Sequence, residues 1–139
     1  MVTNNLENCS PDSPTFIAEA GVNHNGDLEM AKELVDVAAD AGADAVKFQT
    51  FSADRLVTPN APKAEYQTDT TGEGSQYDML QQYELDRDAH EILFQYCEEN
   101  DITFLSTPFD QESASMLKDL GVEAIKLGSG ELDNLPLIK

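Results

Sequence analysis

Two lysines stand where lysines are uncommon. Lys47 lies in Ala45-Val46-Lys47-Phe48 and Lys126 in Ala124-Ile125-Lys126-Leu127, each inside a short apolar run. Taking an ammonium group out of water is costly unless a partner meets it. The chain has 8 Lys and Arg against 27 Asp and Glu, so two cations placed this way point to an anion-binding site. A structural alternative stays open: each lysine pairs with a carboxylate, for instance Glu19 or Glu131, and only supports the fold. Other polar groups stand at comparable places. Glu19 closes the run from Thr15, Gln49 follows Lys47, Ser106-Thr107 close a third run, and Ser129 and Glu131 follow Lys126. Hydroxyls and loop amides beside two cations suit a small ligand carrying phosphate and carboxylate.

The elements that must position these residues alternate along the chain. Thr15–Ala20 reads as a short buried strand. Asp27 is placed to cap a helix from Leu28 to Ala41, with Leu28, Ala31, Leu34, Val35 and Ala38 on one face and Gly42 as its stop. Asp44–Gln49 is a second strand. Residues 51–78 form a long polar connection, too long to be neutral. A second helix spans about Asp88–Glu99, with Ile92, Leu93, Tyr96 and Cys97 inward. Ile102–Thr107 is a third strand, Asp110 caps a helix ending at Leu120-Gly121, Glu123–Leu127 is a fourth strand, and Leu135–Lys139 begins another helix. Residues 1–13 read as a flexible leader.

This alternation predicts a parallel α/β sheet with crossover helices. An open dinucleotide-binding sheet would usually carry GxGxxG, and Gly128-Ser129-Gly130-Glu131 lacks the third glycine. A (β/α)8 TIM barrel gathers function at its strand C-terminal ends, which is where the polar residues fall. Period-two alternation puts Glu19, Lys47, Gln49 and Lys126 on one face. Phe16, Ala18, Val46, Phe48, Ile125 and Leu127 take the other, toward the helices. A full barrel needs about 250 residues. The expectation is therefore a partial barrel over residues 14–139, the first four β/α units.

Composition narrows the function further. At a net charge of −19, the chain lacks the basic patch that nucleic acid requires. No apolar run is long enough to span a bilayer, and the polar N-terminus is unlike a signal peptide. A cytoplasmic location is expected. Such self-repulsion is relieved by salt, so the acidity reads as adaptation to a salty cytoplasm, with an acidic interaction surface as the alternative. Cys9 and Cys97 make no disulfide framework and no CxxC. His24 reads as fixing the loop after the first strand, and His90, on an acidic helix, as a solvated surface residue.

Four strings carry a family resemblance. They are Ile17–Gly26 (IAEAGVNHNG), Ala41–Thr50 (AGADAVKFQT), Phe104–Asp110 (FLSTPFD) and Lys126–Glu131 (KLGSGE), joined by Ala64–Gln67 and Gln76–Leu80 in the long connection. Together they resemble the sialic acid synthase (N-acetylneuraminate synthase) family over about residues 15–139. The resemblance implies a TIM barrel that condenses phosphoenolpyruvate with an N-acyl hexosamine such as N-acetylmannosamine, giving a nine-carbon 2-keto acid and phosphate. It implies that Lys47, Thr107, Lys126 and Ser129 hold phosphoenolpyruvate, and that Glu131 is the base for a metal-bound water. Glu19 would contact the amino sugar, and Gln49 would line the same pocket.

The resemblance also implies a divalent cation, Mn²⁺ or Mg²⁺, and a homodimer. The family's metal-binding histidines come from later strands and are absent from these residues, so the isolated piece is expected to be inactive. Tyr66, Tyr77 and Tyr83 are candidates to cover the sugar. Rival readings are a class I aldolase forming a Schiff base at Lys47 or Lys126, a related phosphoenolpyruvate condensing enzyme for phosphorylated sugars, and a non-catalytic binding or assembly fragment.

Overall fold

The structure, a computed structural model, describes residues 14–57 and 75–139. Three parallel strands, β1 (Ile17–Gly21), β2 (Ala45–Thr50) and β3 (Thr103–Pro108), form one sheet in the order β1-β2-β3. The helices are α1 (Leu28–Asp40), α2 (Ala53–Leu56), α3 (Gln76–Tyr83), α4 (Arg87–Glu99), α5 (Gln111–Leu120) and α6 (Leu135–Ile138). A 3-10 turn spans Ser129–Glu131. The expected parallel α/β architecture is present. The leader, Cys9, Ala64–Gln67 and Tyr66 fall outside the described residues.

Local chemistry sets the helix ends as the sequence predicts. The Asp27 carboxylate accepts from the Met30 amide at 3.0 Å, and Asp110 accepts from Ser113 at 2.9 Å. Gly42 and Gly121 adopt φ +77 and +83, a region in which a side chain is strained. Burial alone would raise the Asp110 pKa. Hydrogen bonds from Ser113 and the Arg55 charge, 2.9 Å away, carry it below the usual value instead.

The core lies between the sheet and its helices. Val46, Phe48 and Phe104 face Ala31, Val35, Leu93, Cys97 and Leu117, all buried, and Phe48 stacks on Phe104 at 5.6 Å between ring centroids. Burial pushes the Cys97 thiol up to about 12, so it is an inert core group. Two residues expected inward are not. Phe16 precedes β1 on the sheet edge and is 66% exposed, and Ile92 turns to the rim of α4 at 41%. No helix among the described residues is long and apolar enough to cross a membrane.

The fourth strand does not form a ladder. Residues 123–127 make one parallel bridge, Ser106↔Ile125, in which the Lys126 amide donates to the Ser106 carbonyl at 3.1 Å. Parallel ladders bond alternate residues of a strand to the same neighbour. The next rung would need the N–H of residue 108, which is proline and has none. Ile125 and Leu127, expected toward the helices, are 37% exposed rather than packed on the helix layer. The long connection also holds more structure than the sequence suggested. Ser75 and Asp78 form a reciprocal capping box that starts α3.

Candidate functional site

The C-terminal ends of the three strands and the segment after Lys126 enclose a cavity of about 550 Å³. Its lining includes Glu19 from β1, Lys47 and Gln49 from β2, and Thr107 from β3. Lys126, Ser129 and Glu131 complete it. The seven residues given substrate or catalytic roles by the resemblance therefore line one cavity, whereas Ser106 does not. The register explains why. Glu19 pairs with Lys47, and Gln49 with Thr107, as direct neighbours across parallel strands. Period-two alternation then aims them to the same face.

Each polar group has a distinct environment. Lys47 is nearly buried, its side chain 12% exposed, and its Nζ lies 2.5 Å from Glu19 Oε2, whose side chain is 55% exposed. Thus one carboxylate pairing considered from the sequence is real, and it sits inside the cavity. Lys126 is different. It is exposed, and its Nζ donates to the neighbouring Leu127 carbonyl at 3.2 Å. The expectation that both ammonium groups are kept from water is corrected for Lys126, because the interrupted fourth strand leaves it at the rim. Glu131 is held by its own turn: Asn134 Nδ2 donates to Glu131 Oε2 at 2.6 Å. Thr107 Oγ1 is buried and, among the described residues, lacks a hydrogen-bond partner.

Backbone geometry opens the space. The β1–β2 register slips between Glu19 and Gly21, a bulge that brings Gly21 to φ +56 at the cavity wall. A Cβ on Gly21 would lie 3.4 Å from Glu19 Oε1, and one on Gly128 would lie 3.5 Å from Glu131 Cγ. Phe109 and Gly128 line the cavity and were not singled out from the sequence. Phe109 was legible by spacing, two residues beyond Thr107 on the same extended face.

Several expectations need correction. Ser106 does not face the cavity; it alternates to the helix side, where its hydroxyl lies 2.7 Å from Thr50 Oγ1. Tyr77 is on α3, its hydroxyl donating to Asp54 at 2.6 Å, and neither it nor Tyr83 lines the cavity. His90 is fully buried rather than solvated, because α4 begins at an Asp86 cap that rotates it onto Thr50. His24 is buried too, and its Nδ1 accepts from the Gly26 amide at 3.0 Å, the loop-fixing role expected of it.

A cavity of about 460 Å³ on the helix side is lined by Arg55, Glu84, Arg87 and Asp119. Its cations are already paired, Arg55 with Asp110 and Glu112 and Arg87 with Glu91, so it offers an anion less than the first cavity does. Among the described residues no three His, Cys, Asp or Glu side chains converge as a metal set. Both histidines are buried away from the cavity lining. These residues do not by themselves fit the divalent cation that the resemblance implies.

Residues 34–139 match the NeuB family. The chain is 52% identical over 125 residues to an N,N'-diacetyllegionaminic acid synthase of Campylobacter jejuni, covering 89% of this chain and 37% of that protein. It is also 52% identical over 125 residues to the enzyme of the same name from Legionella pneumophila, covering 89% and 35%. Among solved structures, the N-acetylneuraminic acid synthetase of Leptospira borgpetersenii superposes with a TM-score of 0.73 at 33% identity. That match covers 91% of this chain and 40% of the other. The chain thus spans little more than a third of the length of these curated relatives.

Proposed function

The chain belongs to the NeuB family, whose relatives are sialic acid-type synthases, and on that premise we propose that its 550 Å³ cavity is the phosphoenolpyruvate side of a condensing site. In this reading residues 14–139 are the first four β/α units of a (β/α)8 barrel. The reaction joins phosphoenolpyruvate to an N-acyl hexosamine and yields a nine-carbon 2-keto acid. Two relatives at 52% identity are named for diacetyllegionaminic acid, which supports a diacetamido hexose as the acceptor.

One observation carries the proposal: two of the chain's eight cations reach one cavity of a −19 protein, with hydroxyls and a held carboxylate between them. Lys47, Thr107, Lys126 and Ser129 bind the donor's phosphate and carboxylate, and Thr107 Oγ1 gains the partner it lacks. Carbon three of the enol attacks the acceptor aldehyde, whose oxygen takes up a proton. Positive charge develops at carbon two, and water adds there. Glu131, oriented by Asn134, takes one proton of that water. The carbon-two hydroxyl so formed then gives up its own proton, which replaces the one the aldehyde oxygen took up, and closes to the keto group as the carbon-two–oxygen bond to phosphate breaks and phosphate leaves. Glu19, beside Lys47 and more exposed, faces the acceptor. The described residues supply no complete ligand set for the family's divalent cation.

Calorimetric titration of the full chain with phosphoenolpyruvate tests the reading. Saturable binding that is lost in Lys47→Met supports it, and absence of binding refutes the donor pocket. The aldolase rival predicts a lysine adduct on borohydride treatment with pyruvate, where the condensing reading predicts none. A cytoplasmic setting of high salt would suit the −19 charge.

A further inference from the structure

Three polar side chains behind the cavity, on the helix side of the sheet, take no part in that chemistry. His90 in α4 is fully buried. Its Nδ1 lies 2.8 Å from the Asp86 carbonyl oxygen, and its Nε2 lies 2.9 Å from Thr50 Oγ1. Thr50 Oγ1 in turn lies 2.7 Å from Ser106 Oγ. A carbonyl only accepts, so Nδ1 carries the proton. Burial holds the ring's pKa below its ordinary value, so Nε2 is unprotonated and accepts. Thr50 must then donate to His90, and Ser106 must donate to Thr50. A single proton arrangement satisfies the whole chain.

The position of this chain matters for the face opposite. Thr50 follows Gln49, and Ser106 precedes Thr107, both cavity residues. Gln49 and Thr107 are themselves direct neighbours in the β2–β3 register, and Thr50 is opposite Pro108. The Thr50–Ser106 bond is therefore a diagonal tie between the two strands at their last rungs. Among the described residues Thr107 Oγ1 has no partner to orient it, so its aim comes from the strand that carries it. On the far side of β3 the single bridge has no successor at Pro108, which leaves the β2 side, with the Phe109 amide donating to the Thr50 carbonyl at 3.1 Å beside the hydroxyl bond, to fix the strand end.

We propose that His90 is a positioning residue: through Thr50 and Ser106 it ties the ends of β2 and β3 together and so aims Gln49 and Thr107 into the cavity. The proposal rests on the donor reading of that cavity for its functional meaning. Its structural content is independent of any ligand.

Two measurements on the full chain separate the two. The first is the χ1 coupling of Thr107 by nuclear magnetic resonance in the free protein. The second is calorimetric affinity for phosphoenolpyruvate. In Thr50→Val and Ser106→Ala, the Thr107 coupling should average over rotamers. Affinity should fall about tenfold, the weight of one well-aimed hydrogen bond to an anion. Thr50→Ser keeps the hydroxyl and should preserve both. Lys47→Met should abolish binding and leave the Thr107 coupling unmoved. An unchanged Thr107 coupling in Ser106→Ala overturns the proposal. So does a Thr50→Ser chain that behaves like Thr50→Val, since packing alone would then be responsible. If the wild-type chain binds no phosphoenolpyruvate while Thr50→Val and Ser106→Ala still change the Thr107 coupling, the donor reading is refuted and the strand tie stands.

Discussion

Glu19 and Lys47 are direct partners across the β1–β2 register, and their side chains close an ion pair whose two ends see different surroundings: the lysine is nearly buried and the carboxylate is half in water. Removing either partner is therefore not equivalent. Glu19→Gln strands an ammonium group, and should cost about 1 kcal/mol of stability after discount for the exposure of the carboxylate. Lys47→Met leaves a carboxylate that water can solvate, and should change stability by less than about 0.5 kcal/mol. Urea denaturation of the two variants measures the difference. Equal losses would mean that the pair is screened as a surface pair.

Thr107 offers the reverse relation between stability and binding. Its hydroxyl is buried without a partner. Thr107→Val keeps the shape and removes the unsatisfied group, so the folded chain should be as stable as the parent or up to about 1 kcal/mol more so. Phosphoenolpyruvate affinity should fall about tenfold in the same variant. Thermal melting and calorimetry on one sample test both halves.

Acid should loosen the fold before the carboxylates titrate. His90 and His24 are both buried, and burial, first in each case, lowers their pKa values; His90's charge adds to the effect on His24. The unfolded chain therefore binds more protons than the native one below the ordinary histidine pKa of about 6.5. Stability present above that pH is lost as pH falls toward the folded values, at a slope of at most about 1.4 kcal/mol per pH unit for each histidine. Urea midpoints at about pH 7.5, 6.5 and 5.5 read the slope. His90→Gln should flatten it, whereas a flat wild-type profile would contradict neutral burial.

The turn after β1 leaves no room for a side chain. Gly26 has φ +77, and a Cβ there would lie 2.0 Å from the Gln82 carbonyl oxygen, a backbone atom. Gly26→Ala should destabilise by about 2–4 kcal/mol through strain and displacement of α3. Gly42→Ala, with a similar φ and open space around it, should cost less. The comparison of the two melting points isolates the clash.

Salt should raise the melting temperature. With 27 acids against 8 bases, repulsion is screened as the Debye length falls from about 10 Å at 0.1 M to about 3 Å at 1 M. Equal melting points in about 0.1 M and 2 M KCl would remove the salt-adaptation reading.

The sequence made the cavity legible because period two is a strong constraint. Once Lys47 is inside a strand, Gln49 must share its face, and strand-end polar residues converge in a parallel sheet. Asp27, Gly42, Asp110 and Gly121 marked helix ends through local chemistry that tertiary packing had no reason to override. What was hidden depended on partners distant in the chain. His90 looked solvated among acidic neighbours, and only the sheet supplies its Thr50 partner. Ser106 and Thr107 are adjacent hydroxyls, and only the register decides which faces the cavity. The fourth strand read well by itself, yet it makes a single rung with β3, and Pro108, eighteen residues away from Lys126, removes the donor for the rung beyond it.

That proline also governs what can stack onto the sheet. An open strand edge invites any extended segment to add itself, and it does so by trading amide protons for carbonyls. At the lip of the cavity the edge of β3 has no proton to trade, since residue 108 carries a ring in its place. A stray strand docking there would forfeit the contact nearest the opening, which leaves the mouth clear for small molecules.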